Sequence, residues 1–309
     1  MVLFLVNSQT NHASRKESGM FSLYFNDDRL ALLHRLVDLA LEEDGRDLTS
    51  EALFPPSSLL HASIVAKQET LVVGLPLIDI VFERMRCPRP CVTLFCSDAD
   101  AARPGQEVAR IQGSAPILLK AERVIMNFIC HLSGVANATR RLVQAVEGTG
   151  VRVLDTRKTT PGQRYLEKYA VRMGGGHNHR VNLEEMLMLK DNHIDQAGSI
   201  TAAVEALRKA YEVCPPLEVE CRTLEHVREA VSLAPQRIML DNMPVETAAE
   251  ALKLIPAHIE SEISGNVTLA NIRALAELRP TFISTGAITH SAPVADFSMR
   301  LTQSPRENA

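Results

Sequence analysis

The second half of the chain is a train of short apolar runs, each the length of one strand and each ending in a charged or special residue. VRVLDTRK ends at Asp155, Arg157 and Lys158, MLMLK at Lys190, LEVE at Glu220, RIMLD at Asp241, HIESEIS at Ser264 and TFISTG at Gly286. A helix-like stretch follows most of them. A repeat of one strand and one helix builds a parallel sheet, and such strands close into an α/β barrel whose site lies at the C-terminal strand ends. The charged residues therefore stand where such a barrel gathers its chemistry.

The 309 residues, 46% of them hydrophobic, suffice for one large or two ordinary cored domains. No apolar run approaches the roughly 18 residues of a membrane span, and MVLFLV at the start is too short for a secretory signal and has no basic residues before it. A soluble, cytoplasmic protein is expected. Residues 1–26 are polar apart from MVLFLV and are read as a disordered extension outside the fold, with Met20 as an alternative start. A net charge of −4 and the lack of a basic run interleaved with aromatics argue against a nucleic-acid surface. Six cysteines contain no CxxC pair, and the spacing of Cys87, Cys91 and Cys96 matches no common zinc pattern, so free structural thiols are expected.

Residues 27–133 read as an α/β sandwich domain. A helix over 28–43, capped by Asp27 or Asp28, precedes the strand-like runs ASIVA, LVVGL, VTLFC and EVARI. A helix over 116–132 carries an apolar stripe from Leu118 to Leu132, with Arg123 on the opposite, solvated side. Ser133 and Gly134 are expected to interrupt it, which puts the domain boundary near 134 and the barrel at 134–287.

In DTRKTTPG, Thr160 is placed as an N-cap and Pro161 as the first residue of a helix reaching Met173, so a positive helix end would lie beside Arg157 and Lys158. Gly174, Gly175 and Gly176 supply the helix stop. In HNHR, Arg180 disfavours a metal at His177 and His179, and anion contact by His179 and Arg180 is expected instead. Lys190 suits a phosphate or a Schiff base, while Glu220 and Asp241 end the next two strands. Cations on one wall and two acids on the other suit a substrate pair bearing phosphates and carboxylates, with Mg²⁺, ribose hydroxyls or a developing positive charge opposite.

The segments AERVIMNFICHLSGVA, DTRKTTPG, YAVRMGGGHNHR, LKDNHI, LEVEC, IMLDNM, ISGN and FISTGAITHSAP, with GRDLTS near the start, resemble the signature segments of the quinolinate phosphoribosyltransferases. These enzymes are also called carboxylating nicotinate-nucleotide pyrophosphorylases. The resemblance runs from about Asp28 to Arg300 and implies an irregular seven-stranded α/β barrel with an N-terminal sandwich domain, the type II phosphoribosyltransferase fold. It implies that the C-terminal tail, 288–309, joins the sandwich domain. The implied reaction converts quinolinate and phosphoribosyl pyrophosphate, with Mg²⁺, to nicotinate mononucleotide, pyrophosphate and CO₂ on the route to NAD.

Carried over by position, Arg123 of a neighbouring subunit joins Thr156, Arg157, Lys158, His179 and Arg180 around quinolinate. Lys190, Glu220 and Asp241 meet phosphoribosyl pyrophosphate, with Glu220 and Asp241 toward its metal, directly or through water. The Ser264-Gly265-Asn266 and Gly286-Ala287 turns cradle its 5′-phosphate, and Lys158, Glu220 and Asp241 are the catalytic candidates. A homodimer, or an assembly of dimers, follows from the shared Arg123. Asn266 stands where many members carry a second glycine, and Thr285 where valine is common. Two other classes remain open on the residues alone: a Schiff-base aldolase built on Lys158 or Lys190, and a non-catalytic anion sensor.

Overall fold

A computed structural model describes residues 20–303, which divide into two compact units. The first takes the chain to Asn137, then Tyr165–Gly174 and the segment from Ala292; the second takes Ala138–Arg164 and Gly175–Ser291. The tail thus falls with the first unit. So does the segment Tyr165–Gly174, which lies within the range 134–287 expected for the barrel.

In the first unit, the helix Asp27–Glu43 is capped by Asn26, one residue before the expected acids, its Oδ1 accepting from the Arg29 amide at 3.2 Å. The fold begins earlier than residue 27. Residues 20–24 are helical, and Phe21 and Phe25 are buried, their rings 5.4 and 5.8 Å from that of Tyr169. Aromatic burial is what draws this end of the supposed extension into the core; residues 1–19 lie outside the described residues. The strands β1 (Leu59–Ala66), β2 (Thr70–Leu71), β3 (Cys91–Leu94), β4 (Ala101–Ala102) and β5 (Glu107–Ser114) follow. An antiparallel sheet takes the order C-terminal strand Phe297–Gln303, β1, β5, β3, and β2 pairs with β4. LVVGL forms only the end of β2. Gly74, at φ +108, turns the chain into the helix Pro76–Arg84, and the amides of Gly74 and Leu75 donate to Asp98.

A single helix spans Ala115–Ala145, uninterrupted at Ser133 and Gly134. Leu118, Ile125, Ile129 and Leu132 are fully buried at helical spacing, each contributing roughly 1.5–3 kcal/mol. The two small residues serve close approach rather than a break. Ser133 Oγ accepts from the Val73 amide at 3.0 Å, and a Cβ on Gly134 would stand 2.2 Å from the Pro293 carbonyl oxygen.

The second unit is built on β6 (Arg152–Leu154), β7 (Leu187–Leu189), β8 (Leu217–Cys221), β9 (Arg237–Asp241), β10 (Glu260–Ser264) and β11 (Phe282–Ser284). They form one parallel sheet in the order β6-β11-β10-β9-β8-β7, every strand falling on one of the apolar runs. A seventh segment contributes only a single parallel bridge, His177 to Leu154 on β6. The sheet curls: His179, two residues past that edge, lies 2.9 Å from Glu218 on β8, near the opposite end of the order. The helix expected from Pro161 begins instead at Arg164, because Gly162 sits at φ +82 and residues 160–163 make a turn closed by Gln163 N–H to the Thr160 carbonyl.

Candidate active site

At the C-terminal strand ends of the second unit lies a cleft of about 340 Å³. Thr156, Arg157 and Lys158 reach it from the end of β6, His179 and Arg180 from the bridging segment, and Met188 and Lys190 from β7. Glu220, Met239 and Asp241, Glu262 and Ser264, and Ser284 complete it from β8, β9, β10 and β11.

The cationic wall is set by short-range hydrogen bonds. Buried Asp155 accepts from the Asn178 side chain at 2.6 Å and from the His179 amide at 2.9 Å, tying the HNHR segment to the end of β6. Thr156 Oγ1 accepts from the Lys158 amide at 2.9 Å, and Thr289 Oγ1 donates to the Lys158 carbonyl at 2.7 Å. Arg180 donates from Nη1 to the Met186 carbonyl at 2.7 Å. Burial, and then the neighbouring charge of Arg157, holds the Arg180 guanidinium below its usual range. The buried Nε of Arg157 has no hydrogen-bond partner among the described residues. Two guanidinium groups held together with donor capacity to spare form a receptor for a planar carboxylate or a phosphate.

Across the cleft, Lys190 Nζ lies 3.0 Å from Glu220 Oε2, so the lysine is committed to an ion pair rather than presented as a free amine. Asp241 accepts from Asn242 Nδ2 at 2.9 Å, and Asn242 in turn accepts from Asn266 Nδ2 at 2.9 Å. That chain explains the turn after β10. Gly265 is at φ +94, where a Cβ would stand 2.2 Å from Asn242 Oδ1, while Asn266 takes φ +51, a left-handed conformation asparagine tolerates. The thiol of Cys221, next along β8, is buried and pushed up to about 12 by burial and then by the Glu220 charge, which rules it out as a nucleophile at neutral pH.

Below the mouth, Glu218 and Glu262 are wholly buried. Burial pushes both carboxyls up to about 7, in Glu262 with help from the Glu218 charge. Arg237 answers them, its Nη1 lying 3.0 Å from Glu262 Oε2 and its guanidinium 4.1 Å from the Phe282 ring centroid.

Of the residues singled out in the sequence, nine line this one cleft: Thr156, Arg157, Lys158, His179, Arg180, Lys190, Glu220, Asp241 and Ser264. Gly265, Asn266, Gly286 and Ala287 do not line it; they shape the turns beside it. Gly286 packs under Lys158, a Cβ there falling 3.0 Å from Lys158 Cδ. Arg123 is exposed on the first unit's part of the long helix and is not among the lining residues. Sequence reading missed Glu218, Glu262, Met188, Met239 and Ser284. Their signal was the two-residue period of a strand, which sets Glu218 on the face of Glu220, and Glu262 on that of Ser264.

Fold and cleft together define an α/β-barrel enzyme whose strand ends receive anionic substrates. A family model for the N-terminal domain of quinolinate phosphoribosyl transferase matches residues 47–133, and one for its C-terminal domain matches residues 135–300. A probable carboxylating nicotinate-nucleotide pyrophosphorylase of Bacillus subtilis is 41% identical over 278 residues, covering 90% of this chain and 96% of the relative. One from Synechocystis is 43% identical over 246 residues, covering 79% and 83%. The solved structure of NadC from Streptococcus pyogenes superposes with a TM-score of 0.83 at 38% identity, covering 88% of this chain and 96% of the other. The chain belongs to the quinolinate phosphoribosyltransferase family.

Proposed function

We propose that the chain transfers the phosphoribosyl group of phosphoribosyl pyrophosphate to quinolinate with loss of CO₂, giving nicotinate mononucleotide and pyrophosphate for NAD synthesis. The observation that carries this reading is the opposition, within one cleft of a chain of this family, of Arg157, Lys158 and Arg180 to Glu220 and Asp241. Arg157, Lys158 and Arg180 hold the two carboxylates of quinolinate and aim its ring nitrogen at C1 of the ribose. As the bond from C1 to pyrophosphate breaks, the carboxylates of Glu220 and Asp241 offset the positive character left on the sugar. The ring nitrogen supplies the electron pair for the new bond. Once quaternary, it accepts the electrons released when the adjacent carboxylate leaves as CO₂, and a proton from solvent replaces it on carbon. Lys190, beside Glu220, meets phosphate oxygens, and the turns at Ser264-Gly265-Asn266 and Gly286-Ala287 take the 5′-phosphate.

The donor set at the acidic wall fits Mg²⁺: Glu220 and Asp241 offer hard oxygens, and the metal commonly binds through one or two carboxylates plus substrate phosphates. When bound, the ion supplies charge neutralisation on the pyrophosphate. Arg123, exposed on its helix, is assigned to the quinolinate site of a second subunit in a homodimer. Cytoplasmic location accords with the finding that no helix among the described residues is long and apolar enough to cross a membrane.

Incubation with quinolinate, phosphoribosyl pyrophosphate and Mg²⁺ should release nicotinate mononucleotide and CO₂ in equal amounts. Nicotinate, which lacks the second carboxylate, should be a poor substrate. No turnover of quinolinate, or equal turnover of both acids, defeats the proposal.

A further inference from the structure

We propose that Glu218, backed by Glu262, is a positioning residue that acts through the ring of His179 to set Arg180 in the anion cleft. The assignment rests on the reading of that cleft as the quinolinate site. Glu218 does not line the cleft and Glu262 reaches only its floor: Glu218 projects from β8 one layer below Glu220, and Glu262 from β10 one layer below Ser264. The Nε2 of His179 lies 2.9 Å from Glu218 Oε2 and 3.6 Å from Glu262 Oε2.

The other ring nitrogen carries the consequence. Nδ1 accepts from the Arg180 amide at 2.7 Å, and a nitrogen that accepts bears no proton, so the ring proton sits on Nε2, facing the carboxylates. The Glu218 carboxylate, 2.9 Å from Nε2 but outside hydrogen-bond geometry, favours the proton on that nitrogen by its charge and packs against the ring, which in turn holds the main chain from which Arg180 departs. With the His179 amide donating to Asp155 at 2.9 Å, the segment is gripped on both sides of the residue. His179, itself lining the cleft, would in this way also act on the anion through Arg180.

Two plainer explanations account for less. As core filling the acids are a poor choice, because burying a carboxylate costs stability that an apolar side chain of the same size does not. As a metal site, His179, Glu218 and Glu262 do bring three ligand atoms within 4.8 Å of one another, but a cation is already in place, with Arg237 Nη1 at 3.0 Å from Glu262.

The test compares E218L, which removes the polar contact at Nε2, with E218Q, whose amide keeps a polar oxygen beside that nitrogen. Quinolinate and phosphoribosyl pyrophosphate affinities are measured separately by calorimetry, and the His179 tautomer is read from two-bond ¹H–¹⁵N spectra. Wild type should show the Nε2–H tautomer. E218L should lose it and bind quinolinate about 10- to 100-fold more weakly, the size of effect typical of groups that orient a binding side chain, with affinity for phosphoribosyl pyrophosphate held within about twofold. E218Q should restore both. If E218L does not fold, H179F, which keeps a flat ring without nitrogens, should show the same selective loss of quinolinate. The proposal is overturned by a wild-type Nδ1–H tautomer, by unchanged quinolinate affinity in E218L, by equal loss of both substrates, or by E218Q behaving as E218L does. Should wild type fail to bind quinolinate, the reading of the cleft falls by itself, and the tautomer comparison still decides what Glu218 does.

Discussion

Gly286→Ala tests whether the position of Lys158, and not only its charge, matters. The backbone at Gly286 has φ −82, ordinary for any residue, so the substitution brings no conformational strain. Its effect comes from contact. The added Cβ would lie 3.0 Å from Lys158 Cδ, 3.1 Å from Lys158 Cβ and 3.1 Å from His290 Cδ2, against about 3.5–4.0 Å for a relaxed carbon pair. The Lys158 main chain is pinned from behind, since Thr289 Oγ1 holds its carbonyl at 2.7 Å, so the side chain must withdraw by roughly half an ångström. If a misplacement of about 1 Å costs on the order of 100-fold in rate, half that distance costs about tenfold, near 1.4 kcal/mol. The measurement is kcat/KM for quinolinate in G286A, K158A and the double variant, with thermal unfolding as a control. G286A should lose about tenfold at nearly unchanged Tm and should add little to K158A, because its effect passes through the side chain already removed. Wild-type activity in G286A, or full additivity with K158A, would refute the argument.

Other expectations follow from the same geometry. K158A should lose about 10- to 150-fold in turnover while folding normally, because one charge-assisted contact to an anion disappears from an exposed side chain; steady-state kinetics and circular dichroism check both parts. G134A should fold less stably despite the better helix propensity of alanine, worth about 1 kcal/mol, because the 2.2 Å approach to the Pro293 carbonyl forces the tail away at a cost of about 1–3 kcal/mol or more; a Tm at or above wild type counts against it. The Glu218–Glu262 pair makes stability fall as pH rises from about 4.5 to about 7, since over that window the folded state holds a proton the unfolded chain has released; one carboxyl raised that far is worth roughly 3 kcal/mol. E218Q should flatten that fall, gaining Tm over wild type at pH 8 relative to pH 5. Mixing the impaired R123A and K158A subunits should raise activity above that of either alone if Arg123 serves the neighbouring site, and should raise it not at all if Arg123 serves its own.

How far the sequence could be read depended on whether a residue's role was local. A strand that ends in Asp241 or Glu220 announces itself by the change from apolar to charged, and the barrel geometry does the rest, so the mouth of the cleft was legible from single positions. Glu218 and Glu262 stand inside apolar runs and were passed over, although the alternation of side chains along a strand puts each one layer beneath a residue that had been noticed. Reading every strand down its inward face, instead of at its tip alone, would have found them.

Glycines resist such reading for a different reason. Gly162, after Pro161, carries a turn signal in its own dipeptide, so the late start of the helix at Arg164 was available in the sequence. Gly134 and Gly286 are unlike it, because each is small for the sake of a partner distant or out of sight in the chain: the Pro293 carbonyl for one, the stem of Lys158 for the other. A helix breaker and a helix residue under close contact look the same in one sequence, yet they respond to alanine with opposite signs. Added methyl groups at these positions therefore separate local propensity from tertiary contact, which no reading of residue type alone can do.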